Sequence, residues 1–187
     1  MAELAAVLRE SDVPITNMES VVARTSVPMQ QISTSFGSTR ELLLAMVSGL
    51  SDSMSAPLAL GSAELDVRQR LLDFGERVTD VYATSHLRGL YRIAITESIR
   101  HTDLGKDFYE VGPGRLTQRL ADFLQAARVG GSPQLLASHF LSLLRTSLYQ
   151  ADTFPHGPAI RRVAGREDVR NAVDLFCGGI NGARQLC

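Results

Sequence analysis

Lysine is almost missing from this chain of 187 residues: Lys106 is the only one. The other basic residues are arginines scattered along the sequence, which reads as genomic codon bias rather than a basic patch. Cysteine is nearly as scarce. Cys177 and Cys187 alone cannot build a disulfide framework, and a reducing cytoplasm is the expected compartment. No apolar run reaches the length of about eighteen residues that a membrane span needs, so no membrane partner is expected. The N-terminus lacks the charged-then-apolar pattern of a secretory signal. A Gly-rich phosphate loop, a nucleophile elbow and a CxxC pair are all missing, which removes the common routes to catalysis. Strand-like alternation of period two is missing too. Net charge is only −1, so nothing global draws the chain to nucleic acid. What remains is 44% hydrophobic residues, an ordinary globular content, on a chain long enough for a small domain and a larger one.

The most informative stretch is TNMESVVARTSVPMQQISTSFGSTRELLLA, from Thr16 to Ala45. Thr16 followed three residues later by Glu19 predicts a capping box, in which each side chain takes up a free backbone N–H at a helix start. Val21 and Val22 give that helix an apolar face, and Thr25-Ser26-Val27 breaks it. Pro28 suits the first position of a second short helix, where its missing N–H costs nothing. Ile32 and Phe36 lie four apart on one face. Gly37 can take the left-handed conformation that stops a helix. Ser38 and Glu41 predict a second capping box, after which Leu42, Leu43, Ala45, Met46 and Val47 continue helically. Helix, turn, helix and a supporting helix is the layout of a DNA reader.

These residues resemble the N-terminal domain of tetracycline-repressor-like (TetR/AcrR-type) regulators. Val21, Arg24, Val27, Ile32, Phe36, Gly37, Ser38, Glu41, Leu42 and Leu43 stand where that family's pattern wants them, or as close equivalents. Upstream, LAAVLRESDVPIT resembles the end of its first helix and the corner after it, with Asp12 and Val13 in those places. The resemblance implies an all-α chain with a helix-turn-helix domain over 1–48 and a helical ligand-binding and dimerisation domain over 49–187. It implies a double-stranded DNA operator as partner, contacted by Thr16, Gln30, Gln31, Thr34, Ser35 and Thr39. Glutamine can pair bidentately with adenine in the major groove, although solvated glutamines are common on any exposed helix.

The departures fall on the reading surface. Ser26 replaces the family's turn glycine, Pro28 its serine, Ser33-Thr34-Ser35 its Tyr-x-His and Thr39 its lysine. Residues 1–48 hold Arg9, Arg24 and Arg40 against Glu3, Glu10, Asp12, Glu19 and Glu41, three minus five, a net −2. DNA affinity comes largely from neutralising phosphates, so this balance opposes binding. Three readings stand open: a basic arm encoded upstream of Met1, weak binding per subunit rescued by a dimer, or a helix-turn-helix that no longer binds DNA.

Beyond Ser51–Ser62, a connection rich in small residues, helical periodicity resumes. Helices are expected from Leu65 through Val81, over Arg88–Arg100, over Leu104–Arg128 with a kink or interruption at Gly112-Pro113-Gly114, from Pro133 to about Ala151, and from about Glu167 to Arg184. Asp152–Arg166 reads as a loop. ITESIRHTDLGKDFYEVGPGRLTQRLADFL and DVRNAVDLFCGGINGA resemble the family's C-terminal domain, including its closing dimer helix. The Leu-rich helix from Pro133 and the small residues of the last helix predict an isologous four-helix homodimer interface. Leu136, Phe140, Leu143, Phe176, Gly179 and Ala183 are its candidates. A pocket for a small apolar effector is expected among Phe74, Tyr91, Arg92, Ile95, Thr96, Phe108, Phe140 and Leu144, each of which could equally be ordinary core.

Glu97 and His101 stand i, i+4, a spacing that could share a metal, but no third ligand has sequence support, so no metal or cofactor is expected. Cys177 is expected to be an inert thiol. The chain reads as a non-enzymatic, DNA-binding transcriptional regulator, a repressor relieved by a small apolar ligand. The alternative is a dimeric small-molecule- or partner-binding protein with a vestigial helix-turn-helix.

Overall fold

The computed structural model describes residues 2–10, 15, 17–59, 66–153 and 165–185. All regular elements among them are helical: α1 (Ala2–Glu10), α2 (Met18–Val22), α3 (Met29–Phe36), α4 (Thr39–Ser55), α5 (Val67–Tyr82), α6 (Ser85–Ser98), α7 (Thr102–Tyr109), α8 (Arg115–Ala126), α9 (Pro133–Thr153) and α10 (Arg166–Gln185). A short 3-10 turn, Ala56–Leu58, follows α4, and a π turn, Glu110–Gly114, lies between α7 and α8.

The chain divides into two compact units, Met1–Asp52 with Thr84–Arg115, and Ser53–Ala83 with Leu116–Cys187. They interleave along the sequence. Helices α6 and α7 therefore belong to the same unit as the helix-turn-helix.

In the first unit the apolar stripes read from the sequence become one core. Leu4 and Leu8 of α1, Met18, Val21 and Val22 of α2, Ile32 of α3 and Leu42, Leu43, Met46 and Val47 of α4 are buried with Leu90, Ile93 and Ala94 of α6 and Leu104 and Phe108 of α7. Burying each of the larger side chains is worth about 1.5–3 kcal/mol, enough to fix helices as short as α2 that could not persist alone.

The expected kink is a π turn with Pro113 inside it. Proline has no N–H to give and its ring crowds the carbonyl four residues back, and a widened turn accommodates both. Gly112 lets α4 approach: a Cβ there would lie 2.9 Å from Cγ1 of Val47. The Ser51 hydroxyl donates to the Gly112 carbonyl at 3.3 Å. Arg115 donates from Nε and Nη2 to the two carboxylate oxygens of Asp52 at 3.0 and 3.1 Å, a two-pronged pairing.

In the second unit the rings of Phe74 and Phe140 stack with centroids 6.3 Å apart, and Phe140 meets Phe176 at 5.0 Å. Gly75 permits close packing of α5, since a Cβ there would lie 2.6 Å from Cγ1 of Val169 on α10. On α10 the Cys177 thiol is half-buried, and burial pushes its pKa up.

Candidate nucleic-acid interface

Helix α2 begins at Asn17, whose side-chain oxygen accepts from the N–H of Ser20 at 2.8 Å. The cap expected at Thr16 is corrected in this respect: Asn17 is the N-cap, and Thr16 itself lies outside the described residues. The Glu19 half of the expected box, its contact with Thr16, lies outside the described residues. The Oε1 of Glu19 accepts from the Thr39 hydroxyl at 2.6 Å, at the start of α4. The first N–H of α2, on Met18, donates instead to Glu97 of α6 at 3.1 Å. Burial is the main influence on Glu97 and raises its pKa; the Met18 hydrogen bond opposes this, Glu19 adds to it, and His101 and Arg100 oppose it.

The turn between α2 and α3 is fastened to α1. Glu3 accepts from the Ser26 N–H at 3.0 Å and from its hydroxyl at 2.8 and 2.9 Å. That hydroxyl, followed by the N–H, holds the Glu3 carboxyl below the usual carboxylate range. Ser26, the residue replacing a glycine in the family pattern, is thus a tie point. Within the turn, the Thr25 hydroxyl donates to the Val22 carbonyl at 2.7 Å.

Pro28 stands one place earlier than expected. With ψ of 141° it is the N-cap of α3, and Met29 is the first helical residue. Of the eight residues of α3 only Ile32 is buried. Gln30, Gln31, Thr34 and Ser35 are exposed, and the Thr34 hydroxyl donates to the Gln30 carbonyl at 2.8 Å. The helix ends at Gly37, whose φ of +85° is the left-handed region expected of it. The Ser38 hydroxyl accepts from the Glu41 N–H at 3.1 Å at the start of α4, as the capping signal predicts.

Thr39 and Arg40 then occupy the first turn of α4. Both are engaged by carboxylates of the same unit: Thr39 by Glu19, and Arg40 through Nη2 by Asp107 of α7. The exposed face is therefore an uncharged helix, α3, bordered by donors already engaged within the unit. Long-range pairings of this kind have no periodicity, so the sequence marks only Ser26 and Thr39 as unusual and gives no hint of their partners.

The pocket candidates fall in two sets. In the first unit, Tyr91 meets Phe108 edge-on at 5.0 Å, the Thr96 hydroxyl donates to the Arg92 carbonyl at 2.9 Å, and Arg92 and Ile95 are exposed. In the second, Phe74, Phe140 and Leu144 are buried together, with Leu144 packed at Gly75. Of the dimer candidates, Phe140 and Phe176 are inside their own unit, Leu136 is half-buried, and Leu143 and Gly179 are exposed. The side-chain position of residue 183 lies outside the description. Leu135, part of the Leu-rich face expected to dimerise, and Leu175, which the sequence reading did not include, are exposed at 55% and 68%. Glu97, weighed above as a metal ligand with His101, is engaged by Met18, and among the described residues no group of three His, Cys, Asp or Glu could hold a metal. Among the described residues no helix is long and apolar enough to cross a membrane.

An all-helical chain with a short exposed helix set on a tight turn and backed by α4 has the layout of a helix-turn-helix regulator. Residues 69–179 match the family described as AefR-like transcriptional repressor, C-terminal domain. The chain belongs to that family and is a TetR-family transcriptional regulator. In fold it is similar to a Mesorhizobium loti protein assigned to the TetR-family transcriptional regulators, with a TM-score of 0.70, 22% identity, and 95% of this chain and 92% of that one covered. It is also similar to the flavonoid-responsive regulator FrrA, with a TM-score of 0.63, 22% identity, and 97% and 92% covered. No curated protein matches the chain.

Proposed function

We propose that this regulator is a homodimeric repressor that reads double-stranded DNA through α3 and releases it when a small apolar effector binds. The observation that carries the reading is the exposure of α3, which buries Ile32 alone and turns Gln30, Gln31, Thr34 and Ser35 to solvent. A helix held by Ile32 and the half-buried Phe36, with a fastened turn before it, is placed to enter a major groove. Functionally, 1–48 is the DNA-binding module and 49–187 the effector and dimer module.

Dimerisation is supported by apolar side chains left exposed on α9 and α10. Leu135 and Leu143 on α9 and Leu175 on α10 are exposed, and Gly178 and Gly179 beside Leu175 have open space where a Cβ would be. Small residues next to exposed leucines let a two-fold mate approach closely. An effector would act by binding one subunit arrangement better than the DNA-competent one, and only by that difference in affinity.

The net −2 of residues 1–48 favours a second reading, a dimeric ligand- or partner-binding protein whose helix-turn-helix is vestigial. Binding of the purified protein to the intergenic DNA beside its gene, against scrambled DNA across a salt titration, separates the two. Sequence preference with a shallow salt slope is expected. A well-folded dimer with no preference even at low salt overturns the repressor reading.

A further inference from the structure

We propose that Asp107 acts as an internal stand-in for a DNA phosphate, holding Arg40 in a competing ion pair that keeps it off the operator backbone. This rests on the DNA-binding reading above. Arg40 is in the first turn of α4, two residues beyond the Gly37-Ser38 corner that ends α3, and it is the only cation in α3 and α4. Backbone phosphates are bound at such positions by arginine and by helix N-termini. Here the guanidinium is turned to Asp107, with the two side chains 38% and 36% exposed.

Two further observations say that the pair is a substitute rather than a settled contact. The Nε of Arg40 is buried and has no hydrogen-bond partner among the described residues, so Asp107 satisfies only part of the fork. A phosphate presents several oxygens and can take two N–H groups at once. Beside it, the Thr39 hydroxyl is taken by Glu19 at 2.6 Å, so the adjacent donor of the same turn is also committed to a carboxylate. Half-exposed ion pairs are weak, so freeing Arg40 is expected to change affinity only modestly.

The test uses the full-length protein on the intergenic DNA, with Asp107→Asn, Arg40→Gln and the double variant across a salt titration. Asp107→Asn is expected to bind about two- to fivefold more tightly at ~0.1 M salt, the span of a weak surface pair. Its slope of log K against log salt should steepen by about 0.9, one added phosphate contact. Arg40→Gln should keep the wild-type slope, and the double variant should lose the gain. Asp103→Asn, neutralising an exposed acid one turn earlier on α7, controls for charge alone and should leave the slope unchanged. An unchanged slope in Asp107→Asn, or a gain that survives in the double variant, overturns the proposal while leaving DNA binding intact. No DNA binding by wild type or any variant overturns both.

Discussion

Glu97 of α6 accepts a hydrogen bond at 3.1 Å from the backbone N–H of Met18, 79 residues earlier in the chain, and so caps α2 from another helix of the same unit. An unpaired backbone N–H at a helix start is costly when water is excluded. Glutamine at this position retains an acceptor, while alanine does not. Glu97→Ala is therefore expected to be less stable than Glu97→Gln by about 1 kcal/mol, measured as the difference in urea midpoints. Equal stability of the two variants would show that the contact contributes nothing.

The same residue gives a pH signature. Burial raises the Glu97 pKa, so its charged form is the one the fold disfavours. The stability this raised pKa contributes is present below the ordinary carboxylate pKa and is lost as pH rises through the folded value. Glu97→Gln should accordingly be more stable than wild type at neutral pH, with the advantage fading on acidification through the carboxylate range. Urea unfolding at a series of pH values checks this; an advantage that grows toward low pH would contradict it.

Glu3 has the opposite sign. The Ser26 hydroxyl and N–H lower its pKa, so its contribution is present above the ordinary carboxylate pKa and is lost as pH falls through the folded value. Ser26→Ala removes the hydroxyl donor and keeps the N–H. Titration of the Glu3 carboxyl by NMR should show its pKa rising toward the ordinary range in this variant. An unmoved titration would mean that the hydroxyl is not what holds Glu3.

Close packing at Gly75 predicts a compensating pair. A Cβ there falls 2.6 Å from Cγ1 of Val169, nearer than real Cβ atoms come, so either α5 or α10 has to shift. Gly75→Ala should destabilise by about 1–3 kcal/mol, the usual range for overpacking. Adding Val169→Ala removes the clashing methyl and should restore part of the loss. Additive effects of the two substitutions in thermal unfolding would rule out this contact as the cause.

For the dimer, Leu175→Asp places a charge at a position that is 68% exposed in one chain. If α10 meets its two-fold mate there, sedimentation should show a folded monomer, with the helical circular dichroism retained. A dimer of unchanged stability would move the interface away from α10.

Gln30 and Gln31 should contribute selectivity more than charge. Gln30→Ala or Gln31→Ala is expected to cost about 1–3 kcal/mol of discrimination at one base position, with the salt slope unchanged because no cation is lost. Binding to a panel of single-base operator variants reads this directly. Equal affinity across the panel for wild type and variants would place base reading elsewhere.

Local signals along the chain set the helices and most of their ends. Apolar residues recurring every three or four positions, Gly37 and the Ser38–Glu41 cap are local signals, and each acts over a turn or two of chain. Proline at 113 likewise marked a disturbed helix, and the structure resolved it as a π turn rather than a kink of unstated kind. The buried faces of α2, α3 and α4 were also legible, because periodicity states which side of a helix must avoid water. The partners of the polar groups, by contrast, were chosen by packing. Glu3 with Ser26, Glu19 with Thr39, Asp107 with Arg40 and Glu97 with Met18 join residues 20 to 79 positions apart. No periodicity encodes such a pairing; it exists only once packing has brought the elements together. The same holds for Phe140 and Phe176, where an apolar stripe could not say whether it faces its own unit or a second copy of the chain. Burial chose the former, leaving Leu135, Leu143 and Leu175 outside.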